Sequence, residues 1–300
     1  MISRRSFLGR ASAAAACTAL AGRASLAYAT PLGLPLGIQL YSVREQLAKD
    51  YDATLIEVGK AGFKEVEAAG FYKKSAAEVK QSLKNAKLHC VSSHHPFGDL
   101  RTKFDEILAF NKELGVQYMI CSSPGFKTPA PAGGSDRGRK MSIDDWRWIS
   151  DQFNQMGEKT AAQGIHFGYH NHIHEFGPVD GTIPYMELLR LTDPAKVTLE
   201  LDCGWATVAG MKPIDLMREH PNRFSMLHVK DFKDNGTFGP DAKEPVVTEL
   251  GMGSIDYKPI FAEAKKTQKI KHMFVEQEAF DMPWQQSLKT DADYLTNLKA

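Results

Sequence analysis

The sequence has no excess of charge of either sign, only four cysteines and no strongly apolar run long enough to cross a bilayer. Each absence excludes something. With 37 basic against 36 acidic residues and no dense basic cluster, nothing marks a surface for neutralising phosphates, so a nucleic-acid partner is not expected. The basic stretches Lys271-His272 and Arg137 to Lys140 read as solvated surface. A ~30 Å hydrocarbon core asks for about 20 strongly apolar residues, so no permanent membrane span is expected. Cys17 falls close to the N-terminus; Cys90, Cys121 and Cys203 are odd in number, widely spaced and set in or beside apolar runs. That pattern reads as buried thiols and not as a disulfide framework. What is there, 43% apolar and 24% charged residues, is the composition of a chain with a packed core, and it excludes disorder and fibre.

The first 29 residues stand apart. They hold Arg4, Arg5, Arg10 and Arg23 and no acid, which leaves 33 basic against 36 acidic residues in the rest. Ser3-Arg4-Arg5-Ser6-Phe7-Leu8, a weakly apolar run from Ala11 to Leu20 and a small-x-small site at Ala27-Tyr28-Ala29 resemble a bacterial Tat export signal. The expectation is a leader over residues 1–29, the Tat machinery as a transient partner, a periplasmic mature chain from Thr30, and one domain over residues 30–300. Tat carries folded proteins, which raises the expectation of a cofactor loaded before export.

From Gly37 onward, short β-branched or apolar runs alternate with segments of helical periodicity, as parallel βα units do. Eight strands are drawn: Gly37 to Tyr41, Glu65 to Ala68, Leu88 to Ser93, Gln117 to Cys121, His166 to His170, Val197 to Asp202, Phe224 to Val229 and Met273 to Glu276. Between them the helical pattern covers Tyr51 to Lys60, Ala76 to Lys84, Thr102 to Leu114, Ile143 to Ala162 and Ile255 to Lys265. Gly62, Gly115 and Gly164 each precede a strand, where a helix end calls for positive φ. The count of eight predicts an α/β fold of the (β/α)8 barrel type, and some 250 residues is the usual size for it. A doubly wound open sheet is disfavoured, because Gly37-Ile38-Gln39-Leu40-Tyr41-Ser42 offers no glycine-rich phosphate loop after the first strand. The Pro-, Gly- and Ser-rich stretch Ser122 to Lys140 is the longest loop and follows the fourth strand.

A barrel of this kind builds its site at the C-terminal strand ends, so polar residues there carry the functional signal. The fifth strand ends His170-Asn171-His172, with the two imidazoles at period two. The sixth places Glu200 and Asp202 two apart, and burying either without a cation nearby costs several kcal/mol. A pair with Lys230 would suit Glu200 better than Asp202. The seventh brings His228 and Lys230, and the eighth brings Glu276. His, Asp and Glu from successive strands form a mixed nitrogen and oxygen set that suits Mn²⁺, Zn²⁺, Co²⁺ or Mg²⁺, manganese first.

Gly37-Ile-Gln-Leu-Tyr-Ser-Val-Arg44, Tyr169-His-Asn-His172 with Glu175-Phe176, Leu201-Asp202, His228-Val-Lys-Asp231, Gly251-Met-Gly-Ser-Ile-Asp256 and Val275-Glu276 together resemble the xylose-isomerase-like barrel superfamily. Its members include sugar isomerases and epimerases, inosose dehydratase and metal-dependent AP endonucleases. The resemblance runs from Gly37 to about Leu298. It implies one divalent ion held by strands five to eight, with Asp202, His228 and Glu276 matching three of the usual ligands. Where many epimerases carry a ligand Glu on strand five, this chain has His170 and His172. That departs from the paired-glutamate pattern and is similar to the branch of inosose dehydratase and enzymes acting on 3-keto-glycosides.

The resemblance implies an isomerase or epimerase that enolises an unphosphorylated keto-sugar or glycoside. Elimination from a 3-keto-glycoside, or dehydration of an inosose, is the adjacent alternative. A non-catalytic carbohydrate-binding barrel is the reading outside enzymes. On this view one strand-five histidine, His172 or His170, joins the metal and the other is the base. Glu276 and Lys230 belong to the reacting machinery, and Lys230 orients a ligand or stabilises a negative oxygen. Gln39, Tyr41, His94, His95 and Trp205 line the sugar site, while Glu175 and Glu200 buttress from behind.

Overall fold

The computed structural model describes residues 30–299 apart from 131–135, 137, 235, 237, 240, 241, 243 and 244. Residues 1–29, expected as a leader and holding Cys17, and Arg137 lie outside the described residues.

Strands β1 (Gly37–Gln39), β2 (Glu65–Ala68), β3 (His89–Pro96), β4 (Tyr118–Ser123), β5 (His166–His170), β6 (Val197–Asp202) and β7 (Phe224–Val229) are followed by a short ribbon, β8 (Asp231–Lys233) with β9 (Val246–Thr248), and then by β10 (His272–Val275). The ribbon is antiparallel. The other eight strands close in the order β1-β10-β7-β6-β5-β4-β3-β2, every neighbour parallel. Around them run α1 (Arg44–Lys49), α2 (Tyr51–Ala61), α3 (Ala76–Ala86), α4 (Phe97–Leu114), α5 (Ile143–Ala161), α6 (Pro184–Leu191), α7 (Cys203–Val208), α8 (Pro213–Glu219), α9 (Tyr257–Thr267) and α10 (Trp284–Asn297). This is the (β/α)8 barrel that the alternation of runs predicts. None of the helices among the described residues is long and apolar enough to cross a membrane.

Local chemistry explains the element bounds. Ser75 with Glu78, and Ser142 with Asp145, form reciprocal capping boxes that start α3 and α5, each satisfying two orphan donors. Gly62 and Gly115 end α2 and α4 at φ of +118° and +85°, a region that L side chains rarely adopt. Helix α4 begins at Phe97, straight after β3, and the expected start at Thr102 coincides with a break at Lys103, where φ is −132°. Strands β3 and β4 run further than expected, to Pro96 and Ser123, and so carry His94 and Ser122 up to the rim.

Period-two alternation divides the interior. Outward residues such as Phe167, Tyr169, Leu199, Leu201, Leu227, Val229, Met273 and Val275 join the large apolar shell shared with the helices. Inside the barrel, Val91, Tyr118, Ile120, Met226 and Phe274 form a small apolar plug. Above that plug the inward positions change character, to Gln39, Glu67, His170, Glu200, Asp202 and His228, each at most 1% exposed. Strand register builds this polar layer, since His170 pairs with Glu200 and Asp202 with His228. Below the plug, His272 corrects the sequence expectation of a solvated Lys271-His272 run. It is buried, bonded through Nδ1 to Glu65 Oε2 at 2.7 Å, because it is an inward position of β10. Cys121 and Cys203 are buried, Cys90 is half-buried, and all three are free thiols.

One buried acid lies away from the site. Asp291 on α10 receives the Leu250 amide at 2.7 Å, yet its Oδ2 has no partner. Burial raises its pKa to about 8, with Glu249 and Asp231 adding repulsion against the amide bond. Between pH 4 and 8 the folded chain therefore keeps a proton that the unfolded chain has released, so stability falls as pH rises through that window. Asp291→Asn keeps the acceptor and removes the ionisation. Thermal melts of the variant at pH 8.5 are expected to exceed those of the parent by at least roughly 2–4 °C, the equivalent of about 1 kcal/mol, with the gap closing by pH 5.

Candidate metal centre at the barrel mouth

Two overlapping groups of side chains bring their ligand atoms within 4.8 Å of one another: His170, Asp202, His228 and Glu276, and His94, His170, Glu200 and His228. His170, Asp202, His228 and Glu276 come from the C-terminal ends of β5, β6, β7 and β10. Asp202, His228 and Glu276 are ligands that the sequence reading names; its first choice on strand five, His172, is not in the group, and His170, the other histidine it allows, is.

The orientation of the imidazoles separates the two groups. His228 directs Nε2 to Glu67 Oε1 at 2.8 Å and Glu200 Oε2 at 3.2 Å. Its Nδ1 faces Glu276 Oε2 at 3.0 Å and Asp202 Oδ2 at 3.9 Å. His170 directs Nδ1 to Glu200 Oε2 at 3.1 Å and Nε2 toward Asp202 Oδ2 at 3.8 Å. Each ring thus presents one nitrogen to a supporting carboxylate and the other to the space between Asp202 and Glu276. That is the carboxylate–histidine arrangement by which an outer carboxylate orients a ligating imidazole.

Asp202 divides its oxygens in the same way. Oδ1 accepts the Trp205 amide at 2.7 Å, capping α7. Oδ2 is buried without a hydrogen-bond partner; the ammonium of Lys230 lies 2.9 Å away, nearer than either imidazole. Lys230 Nζ also reaches Glu276 Oε2 at 2.5 Å and Glu278 Oε1 at 2.7 Å. Lys230 therefore pairs with Asp202, Glu276 and Glu278 and not with Glu200, contrary to the sequence expectation. Register explains this: Asp202 lies level with His228, so Lys230, two places on, sits beyond the height of Glu200. Gly204 makes room for it, since a Cβ there would lie 2.3 Å from Lys230 Cγ.

Charge dominates the electrostatics. Burial would lower the pKa of His228 and of Lys230, but the surrounding carboxylates raise both well above their ordinary values. Burial would raise Glu200 and Glu276, yet the imidazoles and Lys230 hold both well below the usual carboxylate range. For Asp202 burial wins, and its pKa is raised in spite of Lys230. Burial and the neighbouring His228 push His170 well down, which leaves it neutral and able to donate a lone pair. His94 is opposed by burial, but Glu67 and Glu200, each 2.8 Å from its Nε2, raise it to about 9.

Other sequence candidates fall in varied places. His172 lies beyond the end of β5, where strand alternation no longer applies, and is in neither group. Its ring stands edge-on to His170 at 4.8 Å. Glu175 buttresses it through the backbone, accepting the His172 amide at 3.1 Å while binding the Tyr169 hydroxyl at 2.5 Å. Gln39 donates to Glu67 at 2.7 Å, and Trp205 donates its indole N–H to Glu278 at 3.1 Å. Tyr41 is exposed at the rim. His95 points away from the axis, bonded to Ser93 and Asn111, because adjacent strand residues face opposite sides. Burial lowers its pKa to about 4.

Sequence reasoning missed Glu67 and Glu278. Glu67 is fully buried and receives Gln39, Ser92, His94 and His228. The Glu65-Val66-Glu67 alternation carried the same signal as Glu200 and Asp202 on β6. The motif Gly251 to Asp256 proves to be a clasp: the Asp231 carboxylate accepts the amides of Gly251, Gly253 and Ile255 at 3.0, 3.1 and 3.0 Å. A Cβ on Gly253 would lie 2.2 Å from Asp231 Oδ1, so the clasp requires glycine there.

Above the cluster opens a cleft of about 400 Å³, lined by Tyr41, His94, Ser122, Ser123, His170, His172, Glu276 and Glu278 among others. A larger groove, about 640 Å³, lies beside the opposite strand ends, around Glu65, Lys84, Lys87 and His89. It contains none of the cluster.

The model of the xylose isomerase-like TIM barrel family matches residues 46–298. Among curated proteins, the inosose dehydratase of Geobacillus thermodenitrificans (strain NG80-2) is 26% identical over 233 residues, covering 70% of this chain and 76% of that protein. A sugar phosphate isomerase/epimerase from Parabacteroides distasonis ATCC 8503 superposes with a TM-score of 0.69 at 28% identity, over 87% of this chain and 93% of its own. A xylose isomerase-like TIM barrel protein from Mycobacterium smegmatis, solved in complex with magnesium, shares the fold at 13% identity and a TM-score of 0.63, over 89% of this chain and 97% of its own. With a matching model over most of its length, the chain belongs to the xylose isomerase-like TIM barrel family.

Proposed function

We propose that this chain is a divalent-metal-dependent enzyme that enolises an unphosphorylated keto-sugar or keto-glycoside and then expels a β-substituent. The observation that carries the reading is the convergence of His170, Asp202, His228 and Glu276 beneath an open cleft. The donor set fits a metal. Two imidazoles each have one nitrogen held by an outer carboxylate, and the Asp202 Oδ2 is an orphaned buried oxygen facing them. Two nitrogen and two oxygen donors suit Mn²⁺, Zn²⁺ or Co²⁺, with Mg²⁺ less well matched to imidazole. A bound ion would supply Lewis acidity, lowering the cost of negative charge on a carbonyl oxygen next to the reacting carbon.

The residues of the chain do the rest. His172 lines the cleft, is held at its backbone by Glu175, and is the base for the α proton. His94, gripped by Glu67 and Glu200, is a donor toward a substrate oxygen. Lys230, fully buried behind Asp202 and Glu276, orients those carboxylates. When the α C–H bond breaks, the proton passes to His172 and the electron pair enters the enolate. As the enolate collapses, that pair forms the carbon–carbon double bond while the bond to the β oxygen breaks, and the departing oxygen takes the proton back from His172, so water or an alcohol leaves with no change of oxidation level.

Three observations favour this substrate and outcome. Among the described residues, no lysine or arginine lines the cleft, while Glu276 and Glu278 do, which opposes a phosphorylated ligand. Strand five supplies histidines and not the second glutamate that a two-carboxylate epimerisation uses. The inosose dehydratase relatives, by name, eliminate water. The isomerase or epimerase outcome is the second reading, favoured by the name of the Parabacteroides structure. The leader read in the sequence would place this chemistry in the periplasm after Tat export.

Calorimetric titration of chelator-treated protein with Mn²⁺ is expected to show one site. Asp202→Ala should weaken it by at least about 100-fold, and Glu67→Gln, which loosens His228, by roughly 10–100-fold. Unchanged affinity in Asp202→Ala would refute the ligand assignment. Metal-loaded protein incubated in D₂O with methyl 3-keto-β-glucopyranoside should release methanol, followed by NMR. Deuterium at the α carbon without methanol would select isomerisation or epimerisation, and neither signal would leave a non-catalytic sugar-binding barrel.

A further inference from the structure

A second cleft of about 550 Å³ is lined from the chain that follows β4 and β5. Its walls are Pro124, Phe126, Met141, Trp146, Pro178 and Val179, with Arg139, Lys140 and His174 among the polar lining. The two clefts share the same stretches of chain: Ser122, Ser123 and His172 line the first, and Pro124 and His174 line the second. They are also joined through packed side chains. Trp146, 3% exposed, meets the Tyr169 ring edge-on at 6.3 Å, Tyr169 bonds Glu175, and Glu175 holds the His172 amide.

The chemistry of the second cleft differs from that of the first. Its floor is aromatic and aliphatic, whereas the first presents imidazoles, hydroxyls and carboxylates. The Arg139 guanidinium lies over the Phe126 ring at 3.9 Å and bonds the Thr128 carbonyl at 3.2 Å, with Asp136 as its counter-ion. Arg101 bonds the Phe126 carbonyl at 3.0 Å, and Asp145 accepts the Lys127 amide at 2.9 Å. The wall formed by the long loop is thus tied down on two sides. An apolar slot with cationic and imidazole donors at its edge fits a flat aromatic ring that bears oxygen.

We infer that this cleft is a subsite for an aryl substituent of the sugar, so that the preferred substrates are phenolic keto-glycosides whose leaving group is the phenol. The inference rests on the function proposed above and deepens it by naming the class of leaving group.

The test separates binding from turnover. Equilibrium titration of the Mn²⁺-loaded protein compares 4-nitrophenyl β-glucopyranoside with methyl β-glucopyranoside, neither of which carries the ketone needed for reaction. The aryl glycoside is expected to bind at least tenfold more tightly. Val179→Trp, which fills the slot, should reduce that ratio to under twofold, with Mn²⁺ binding in the same experiment reporting an intact metal cluster. Met141→Trp fills the slot from another lining position and serves if the first variant does not fold. Equal affinities in the parent protein, or a ratio unmoved by a folded slot-filling variant, would overturn the inference. Turnover of methyl 3-keto-β-glucopyranoside is read separately. Enolisation without an aryl preference removes the subsite alone, whereas an aryl preference without enolisation keeps the subsite and removes the proposed reaction.

Discussion

Four carboxylates buried within a few ångströms of one another set the terms for everything at the mouth of this barrel. Glu67, Glu200, Asp202 and Glu276 are at most 6% exposed, and an isolated buried carboxylate would shed its charge before it shed its water. Basic side chains are threaded between them: His228 between Glu67, Glu200 and Glu276, His94 between Glu67 and Glu200, and Lys230 between Asp202 and Glu276. Two buried oxygens of the layer have no hydrogen-bond partner, Glu200 Oε1 and Asp202 Oδ2, and each such atom calls for an explanation. Asp202 Oδ2 is the one that faces His170 Nε2 and His228 Nδ1, at 3.8 and 3.9 Å.

The rest of the fold serves this layer. The plug of Tyr118, Ile120, Met226 and Phe274 beneath it closes the barrel to water from below. The parallel register places His170 beside Glu200 and Asp202 beside His228, so pairing of the strands alone assembles most of the cluster. Asp231 and its glycine clasp fix the chain just past Lys230, and the absent side chain of Gly204 lets the lysine pass toward the carboxylates. Asn171 links the ends of β5 and β6, bonding both the amide and the carbonyl of Asp202. These contacts tie the ends of β5, β6 and β7 together around the cluster.

The barrel was legible in the sequence because its signal is periodic. Strands β2, β5, β6 and β7 have the bounds that alternation predicts, and period two on β6 correctly put Glu200 and Asp202 on one side. The misreadings have specific causes. Period two would set His172 beside His170, but the strand stops at His170. His94 and His95 are adjacent on β3, and neighbours on a strand cannot both face the axis. Glu67 was overlooked on β2 despite the same alternation that singled out β6. Glu278 lies past the last strand, where no periodicity applies and only the folded position of Lys230 shows its use. The second cleft was invisible for a similar reason, since it is made by loops from β4 and β5 whose meeting is a tertiary fact.

Crystals of the protein grown with Mn²⁺ and measured at the manganese absorption edge test the central claim most directly. The account predicts one strong anomalous peak enclosed by His170, Asp202, His228 and Glu276, with Glu67 and Glu200 still bonded to the far nitrogens of the two imidazoles. A peak instead among His94, His170, Glu200 and His228, or no peak at saturating metal, would contradict it.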